Sequence, residues 1–381
     1  MQYKKLILLI LTIALLLIVG LAACSTDTEE PNTSTQATST PETTPDPTPE
    51  PAPPTEHEAE SEQDEPVQEE ISSFEGLSGV VYVYMPSPPA LADRLAEAFS
   101  ALTGVEVRTF IGTTGEILAR LEAESANPIA DVVILASWSD GLSLREGGQL
   151  LSHTPAGAGL LHPGLIDSQN TLFGMSASAV GVVYNTLLIP ELSASWEELA
   201  SEEFRDQLAF PCPERSGSAS DFLSGFINNR GEAAGWATWE AMADYGMIVP
   251  GANAAALEAV ITGSRGILVA GVDWNAFAAI NRGEPINFYY PEEGTVVNPR
   301  PAMILQTSRN LENAKAFMDF MLTDEAQQMI ASAFLIPGRS DVLSTYRPNM
   351  ADMTVLDVDW DWMMQHSTEI SQRFNELMGA N

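Results

Sequence analysis

Cysteine is nearly missing from this 381-residue chain: there are two, Cys24 and Cys212. With Cys24 assigned to the export signal described below, Cys212 has no partner. A disulfide framework is therefore excluded, and the fold must be held by burial alone. Basic residues are also scarce, 17 Lys and Arg against 52 Asp and Glu, for a formal net charge of −35. Lys315 is the only lysine beyond Lys5. Without a basic stripe to neutralise phosphates, nucleic acid is excluded as a partner, as is adsorption to anionic lipid. An acidic field repels anions at long range. Any anion site must therefore win locally, through backbone dipoles.

What is present begins with Lys4 and Lys5, followed by an apolar run from Leu6 to Ala23. The run approaches the length of a short membrane span. Its position at the N-terminus and its small residues at the end favour a secretory signal instead. Leu21-Ala22-Ala23-Cys24 resembles the lipobox of bacterial lipoprotein signals. That resemblance implies a signal peptide over 1–23 and lipidation of Cys24 as the mature N-terminus; the alternative is an uncleaved anchor. Either way, the remainder lies outside the cytoplasm. Residues 24–73 are rich in Pro, Thr, Ser and acids and poor in apolar side chains. Such a segment cannot offset its chain entropy, and a disordered stalk is expected. Its Pro41–Pro54 part is expected to be a semi-rigid spacer.

About 300 residues remain, suited to two domains or one large one. Gly79–Tyr84, Val105–Phe110 and Asp131–Leu135 read as buried strands, alternating with helices over Ala90–Leu102 and Glu116–Glu124. This rhythm predicts an α/β fold with a parallel sheet. A second set of strands follows at Gly181–Tyr184, Leu208–Phe210, Gly266–Ala270 and Ile286–Tyr290. Helices over Asn310–Leu322 and Thr323–Ala333 come next. The expected division is into two lobes, 78–178 plus 300–345 and 179–299 plus 346–381.

Several segments, in order, resemble type II periplasmic solute-binding proteins of the ferric-iron and 2-aminoethylphosphonate group. They are Gly112-Thr-Thr-Gly-Glu-Ile-Leu-Ala-Arg-Leu121, Ala130-Asp-Val-Val133, Val180-Gly-Val-Val-Tyr-Asn-Thr186, Ser195-Trp-Glu-Glu-Leu199 and Tyr290-Pro-Glu-Glu-Gly-Thr295. Ala314-Lys-Ala-Phe-Met318, Asp324-Glu-Ala-Gln327 and Ile336-Pro-Gly-Arg339 complete the set. The resemblance implies two α/β lobes joined by crossover strands that close on a small-molecule ligand. It further implies delivery to an ABC permease and ATPase by a monomer without a cofactor.

The resemblance also places candidate ligand contacts. Ser216, Gly217 and Ser218 match an anion-binding loop before a helix, where free N–H groups and the dipole face an oxyanion; the residues alone are equally a plain helix cap. Thr113, Thr114 and Gly115 form a similar loop in the other lobe, and Asn253 matches an anion-bonding position. Iron-binding members use a tyrosine pair, which is here Asp273-Trp274. Their carboxylate after the third strand is replaced by Ala136-Ser137-Trp138. Their first-loop His is replaced within Met85-Pro-Ser-Pro-Pro89, leaving Ser87 as the polar candidate. Tyr289 and Tyr290 lie in a strand, where alternation sends them to opposite faces. His153 and His162 lack metal spacing, so no metal site is expected. Asp273 is instead expected to meet an ammonium, with Trp138 and Trp274 packing over the ligand. An organic anion or a zwitterion such as an aminophosphonate would suit that set. The alternatives are a ferric-iron receptor and a transferase using Cys212, whose only nearby charge able to favour a thiolate is Arg215.

Overall fold

The computed structural model describes residues 74–379, all within the unit spanning Glu65–Asn381. The signal peptide, Cys24 and the stalk expected from the sequence lie outside the described residues. Ten strands form one mixed sheet: β1 Val80–Met85, β2 Glu106–Ile111, β3 Val132–Ile134, β4 Leu150–Leu151, β5 Phe173–Asn185, β6 Leu208–Ala209, β7 Ile267–Val272, β8 Ile286–Tyr289, β9 Val297–Leu305 and β10 Ile336–Pro337. The helices are α1 Pro89–Thr103, α2 Thr114–Ala123, α3 Trp138–Glu146, α4 Gly217–Arg230, α5 Glu232–Asp244, α6 Asn253–Ile261, α7 Asp273–Asn281, α8 Leu311–Phe320, α9 Asp324–Ser332 and α10 Trp360–Leu377.

The main path of the sheet runs β2-β1-β3-β9-β5-β7-β6. At one end β1 pairs in parallel with β2 and β3; at the other β6 pairs in parallel with β7. Between them β9 and β5 run antiparallel to their neighbours. The first half of β5, residues 173–179, pairs with β9, and its second half with β7 and β8. One buried strand therefore belongs to both lobes, and β5 and β9 are the crossovers. Where β5 meets β7 the register shifts between Gly181 and Val183, and Ala270 takes a φ of 55°. Such a bulge re-aims the chain that follows it, here the start of α7.

Each lobe has its own core. Val81, Val83, Leu91, Phe99, Phe317 and Phe320 lie in one; Trp196, Phe210, Phe222, Phe226, Trp239 and Phe374 lie in the other. Helix α1 shows how sequence becomes packing. Proline stands at its first position and Gly104 ends it at φ 76°, the residues these positions favour. Its buried stripe is Leu91, Ala92, Leu95 and Phe99. Each large side chain there contributes roughly 1.5–3 kcal/mol by leaving water. Helix α10 packs against both α3 and α4.

Several segments that carry the sequence resemblance act as structural pins. The Asp131 carboxylate, fully buried, accepts from Tyr82 N, Ser308 Oγ, Arg309 N and both nitrogens of Asn310. Trp196 donates its indole N–H to Gly294 O and its backbone N–H to Glu293. Gln327 donates to Met175 O and Met321 O and accepts from Arg339 N.

Candidate functional site

Between the lobes lies a cleft of about 270 Å³, lined by Arg300 of the crossover β9 and by residues from several helix starts. Its polar wall is built locally. Ser216 sits in extended backbone before α4, and its Oγ accepts from Ala219 N at 3.2 Å, an N-cap. The same hydroxyl lies 3.1 Å from Ser218 Oγ and donates to Asn253 Oδ1 at 2.9 Å. Asn253 Nδ2 returns a bond to Ser218 Oγ at 3.3 Å. Across the cleft, Thr113 and Glu116 form a reciprocal capping box on α2. The starts of α2, α4, α6 and α7, with Ser87 ahead of α1, all contribute to this one lining. Helix starts present unpaired N–H groups and the positive end of the dipole. Several such starts lining one space can favour an oxyanion there.

Two glycines let the lobes meet. A Cβ on Gly217 would lie 2.8 Å from both Ser137 Cβ and Thr114 Oγ1, and one on Gly115 would collide with Glu214 O. Asp221 of α4 reinforces this contact by accepting from Ser137 Oγ and Trp138 N, each at 2.9 Å. Burial, with the neighbouring Asp140 carboxylate adding to it, pushes the Asp221 carboxyl up to about 8.

Arg300, on β9, was not among the residues expected from the sequence. It lines the cleft yet is only 2 % exposed. Its Nη2 donates to Pro86 O at 2.5 Å, and no carboxylate pairs with it among the described residues. Burial pulls its pKa down from 12.5 to about 10, and the Asp273 charge works in the opposite direction. The group therefore stays cationic at neutral pH, desolvated and short of acceptors. The sequence did carry a signal for it: one charged residue inside the otherwise uncharged strand VNPRPAMIL.

Of the residues expected from the sequence, Ser87, Thr113, Thr114, Ser216, Gly217, Ser218, Asn253 and Trp274 converge on this cleft. Gly115 sits just behind it, at the lobe contact. Two residues fall elsewhere. Trp138 is 4 % exposed and packs in a lobe core with Leu142 and Leu172, so it does not lie over a ligand. Asp273 is fully buried and already engaged. It accepts from Ala179 N at 2.7 Å, Trp274 N at 2.6 Å and Tyr290 Oη at 3.0 Å, and pairs with Arg347 at 2.5 Å. Arg347, far along the chain, takes the place expected for a ligand's ammonium. Tyr289 and Tyr290 point to different partners, Ala194 O and the Asp273–Arg347 pair. Burial and the Asp273 charge hold the Tyr290 phenol well above its ordinary range.

The donor set of the cleft does not suit a hard trivalent metal. Its one carboxylate, Glu116, is committed to Thr113 N at 2.7 Å, and no tyrosine lines it. Cys212 lies outside the lining as well.

This architecture has known counterparts. Residues 150–366, more than half of the chain, match the family described as bacterial extracellular solute-binding protein. The chain belongs to this family. It is a solute-binding protein, of the kind that serves ABC importers, and not an enzyme. It is similar to a protein assigned to 2-aminoethylphosphonate binding in the periplasm of Salmonella paratyphi A, with 26% identity over 70% of this chain and 79% of the relative. The major ferric iron-binding protein of Neisseria meningitidis serogroup B is 24% identical over 70% of this chain and 83% of its own length. Among solved structures, the periplasmic binding protein AfuA of Actinobacillus pleuropneumoniae, with fructose-6-phosphate bound, superposes with a TM-score of 0.73. The identity there is 18%, over 80% of this chain and 99% of that one.

Proposed function

We propose that this solute-binding protein captures an organic phosphate or phosphonate between its lobes and presents it to an ABC permease and ATPase. The observation that carries this reading is Arg300. A buried guanidinium with one backbone acceptor faces a cleft lined by residues from several helix starts. An oxyanion would supply the missing acceptors, and charge-assisted bonds of this kind are the strong ones. The zwitterion expected from the sequence loses its main support, because Arg347 already neutralises Asp273. An aminophosphonate then binds through its phosphonate alone. The names of the relatives, phosphonate in one and a sugar phosphate in another, are in keeping with this chemistry.

In this reading the lobes are 78–178 with 300–345 and 179–299 with 346–381, and the crossovers β5 and β9 are the hinge. Ligand bridging Arg300 and the Ser216–Ser218 loop stabilises the closed form by its greater affinity for it. The protein works as a monomer, tethered outside the membrane by a lipid on Cys24 with the 24–73 stalk as leash. Metabolic labelling with radioactive palmitate tests the tether: the native chain should take up label and Cys24→Ser should not, and a native chain without label would rule out that anchor. For the ligand, titration calorimetry with inorganic phosphate, 2-aminoethylphosphonate and ferric citrate is decisive. Tight ferric binding without phosphate or phosphonate binding would overturn the proposal in favour of an iron receptor.

A further inference from the structure

A second cavity, larger than the anion cleft at about 450 Å³, opens between α1 of one lobe and α6 and α7 of the other. The two spaces are neighbours with a common wall: Ala254, Trp274 and Asn275 line both. Trp274 also packs against the cores of both lobes. The second cavity is floored mostly by apolar side chains, such as Leu91 and Leu257.

Its charge is unusual for this protein. In a chain with 52 acids and 17 bases, two arginines, Arg94 and Arg282, line this one space beside a single acid, Glu258. Among the described residues neither arginine forms an ion pair. The polar bond found for Arg94 is from Nη1 to Ser332 Oγ at 3.1 Å.

From this juxtaposition we infer that the solute is an elongated organic dianion. Its phosphoryl head lies at Arg300, its carbon body passes Trp274, and a second acidic group lies at Arg94 and Arg282. The inference rests on the anion-cleft reading and extends it. Inorganic phosphate or a two-carbon phosphonate fills only the first cavity. A longer phosphomonoester with a terminal carboxylate extends from it into the second, and its far charge meets two cations that form no ion pair among the described residues. Both arginines are exposed, so each pair adds modestly. Together they are expected to give about a tenfold preference for the second charge.

Sorbitol 6-phosphate and 6-phosphogluconate make a matched pair of probes, differing at the far carbon as alcohol against carboxylate. Titrated into the full-length chain in detergent, 6-phosphogluconate should bind about tenfold more tightly. Arg94→Gln combined with Arg282→Gln should remove that preference while inorganic phosphate binds as before. Ala278→Trp, which fills the second cavity from a half-buried position, should weaken both long probes and spare inorganic phosphate. Equal affinity for the pair in the native chain, or a preference that survives the double substitution, overturns the inference and leaves the anion cleft standing. Failure of every phosphate compound to bind overturns both.

Discussion

Replacing Arg300 with methionine pulls stability and binding in opposite directions. The buried guanidinium has its pKa lowered from 12.5 to about 10, which corresponds to a penalty of about 3 kcal/mol on its charged form. Folded and unfolded chains both carry this proton at pH 7, so the full penalty weighs on the unliganded fold. Against it stands one hydrogen bond to Pro86 O, whose loss costs about 1 kcal/mol. Methionine is of similar length and needs no partner, so the unliganded variant should be about 1–2 kcal/mol more stable, as when other buried charges give way to apolar groups. Ligand binding should behave in the reverse way. Removing one partner of a desolvated charge pair costs about 2–5 kcal/mol, which weakens phosphate or phosphonate by about thirtyfold or more. Urea denaturation with and without ligand reads both effects at once. At a hundred times its dissociation constant, ligand should stabilise the native chain by about 2.7 kcal/mol and the variant by less than about 1 kcal/mol. If Arg300→Met instead loses stability and keeps its affinity, the arginine is a structural strut holding the Pro86 loop, and the reasoning fails.

Three further outcomes test the lobe contact and the exclusion of catalysis. Gly217→Val places side-chain atoms against Ser137 and Thr114 and should prop the lobes apart. Small-angle scattering with saturating ligand should then show no compaction, and affinity should fall by about tenfold or more; normal closure would refute the close-approach argument. Asp221 titrates near 8 when folded but near 3.9 when unfolded. The unfolded chain thus gives up its proton first, and stability should fall as pH rises from about 4 to about 8, by at most ~1.4 kcal/mol per pH unit. Asp221→Asn should flatten that slope in denaturation curves taken across the range, and an unchanged slope would place its cause elsewhere. Cys212→Ala should leave affinity within about twofold by calorimetry, since the thiol is outside the cleft lining; a large loss would bring Cys212 back into the site.

The periodicities of short buried strands and amphipathic helices were local signals, and so were the caps. Leu91, Leu95 and Phe99 share one helix face, and Ser216 stands before a run with helical spacing. Such features depend on neighbours a few residues away, which is why strands, helices and the caps at Thr113 and Ser216 could be read directly, while the ligand role of their loops came from the family resemblance. Tyr289 and Tyr290 do meet different partners, as read from alternation, although the strand itself ends at Tyr289.

What local pattern cannot supply is the identity of distant partners. Asp273 was expected to meet an ammonium because it stands where iron-binding relatives have a tyrosine; folding brings it Arg347, 74 residues away in the chain. Trp138 was expected over the ligand because it follows the third strand where iron-binding relatives carry a carboxylate; it packs instead in a lobe core. Arg300 looked like one more charge, and only the crossover strand's burial on both faces left it desolvated beside the helix starts. The sequence by itself determined most elements, the α/β class and the helix caps at Thr113 and Ser216, since these rest on short-range sterics and periodicity. The charge balance of the cleft was decided by tertiary structure, because it depends on which side chains long-range packing neutralises and which it leaves without partners.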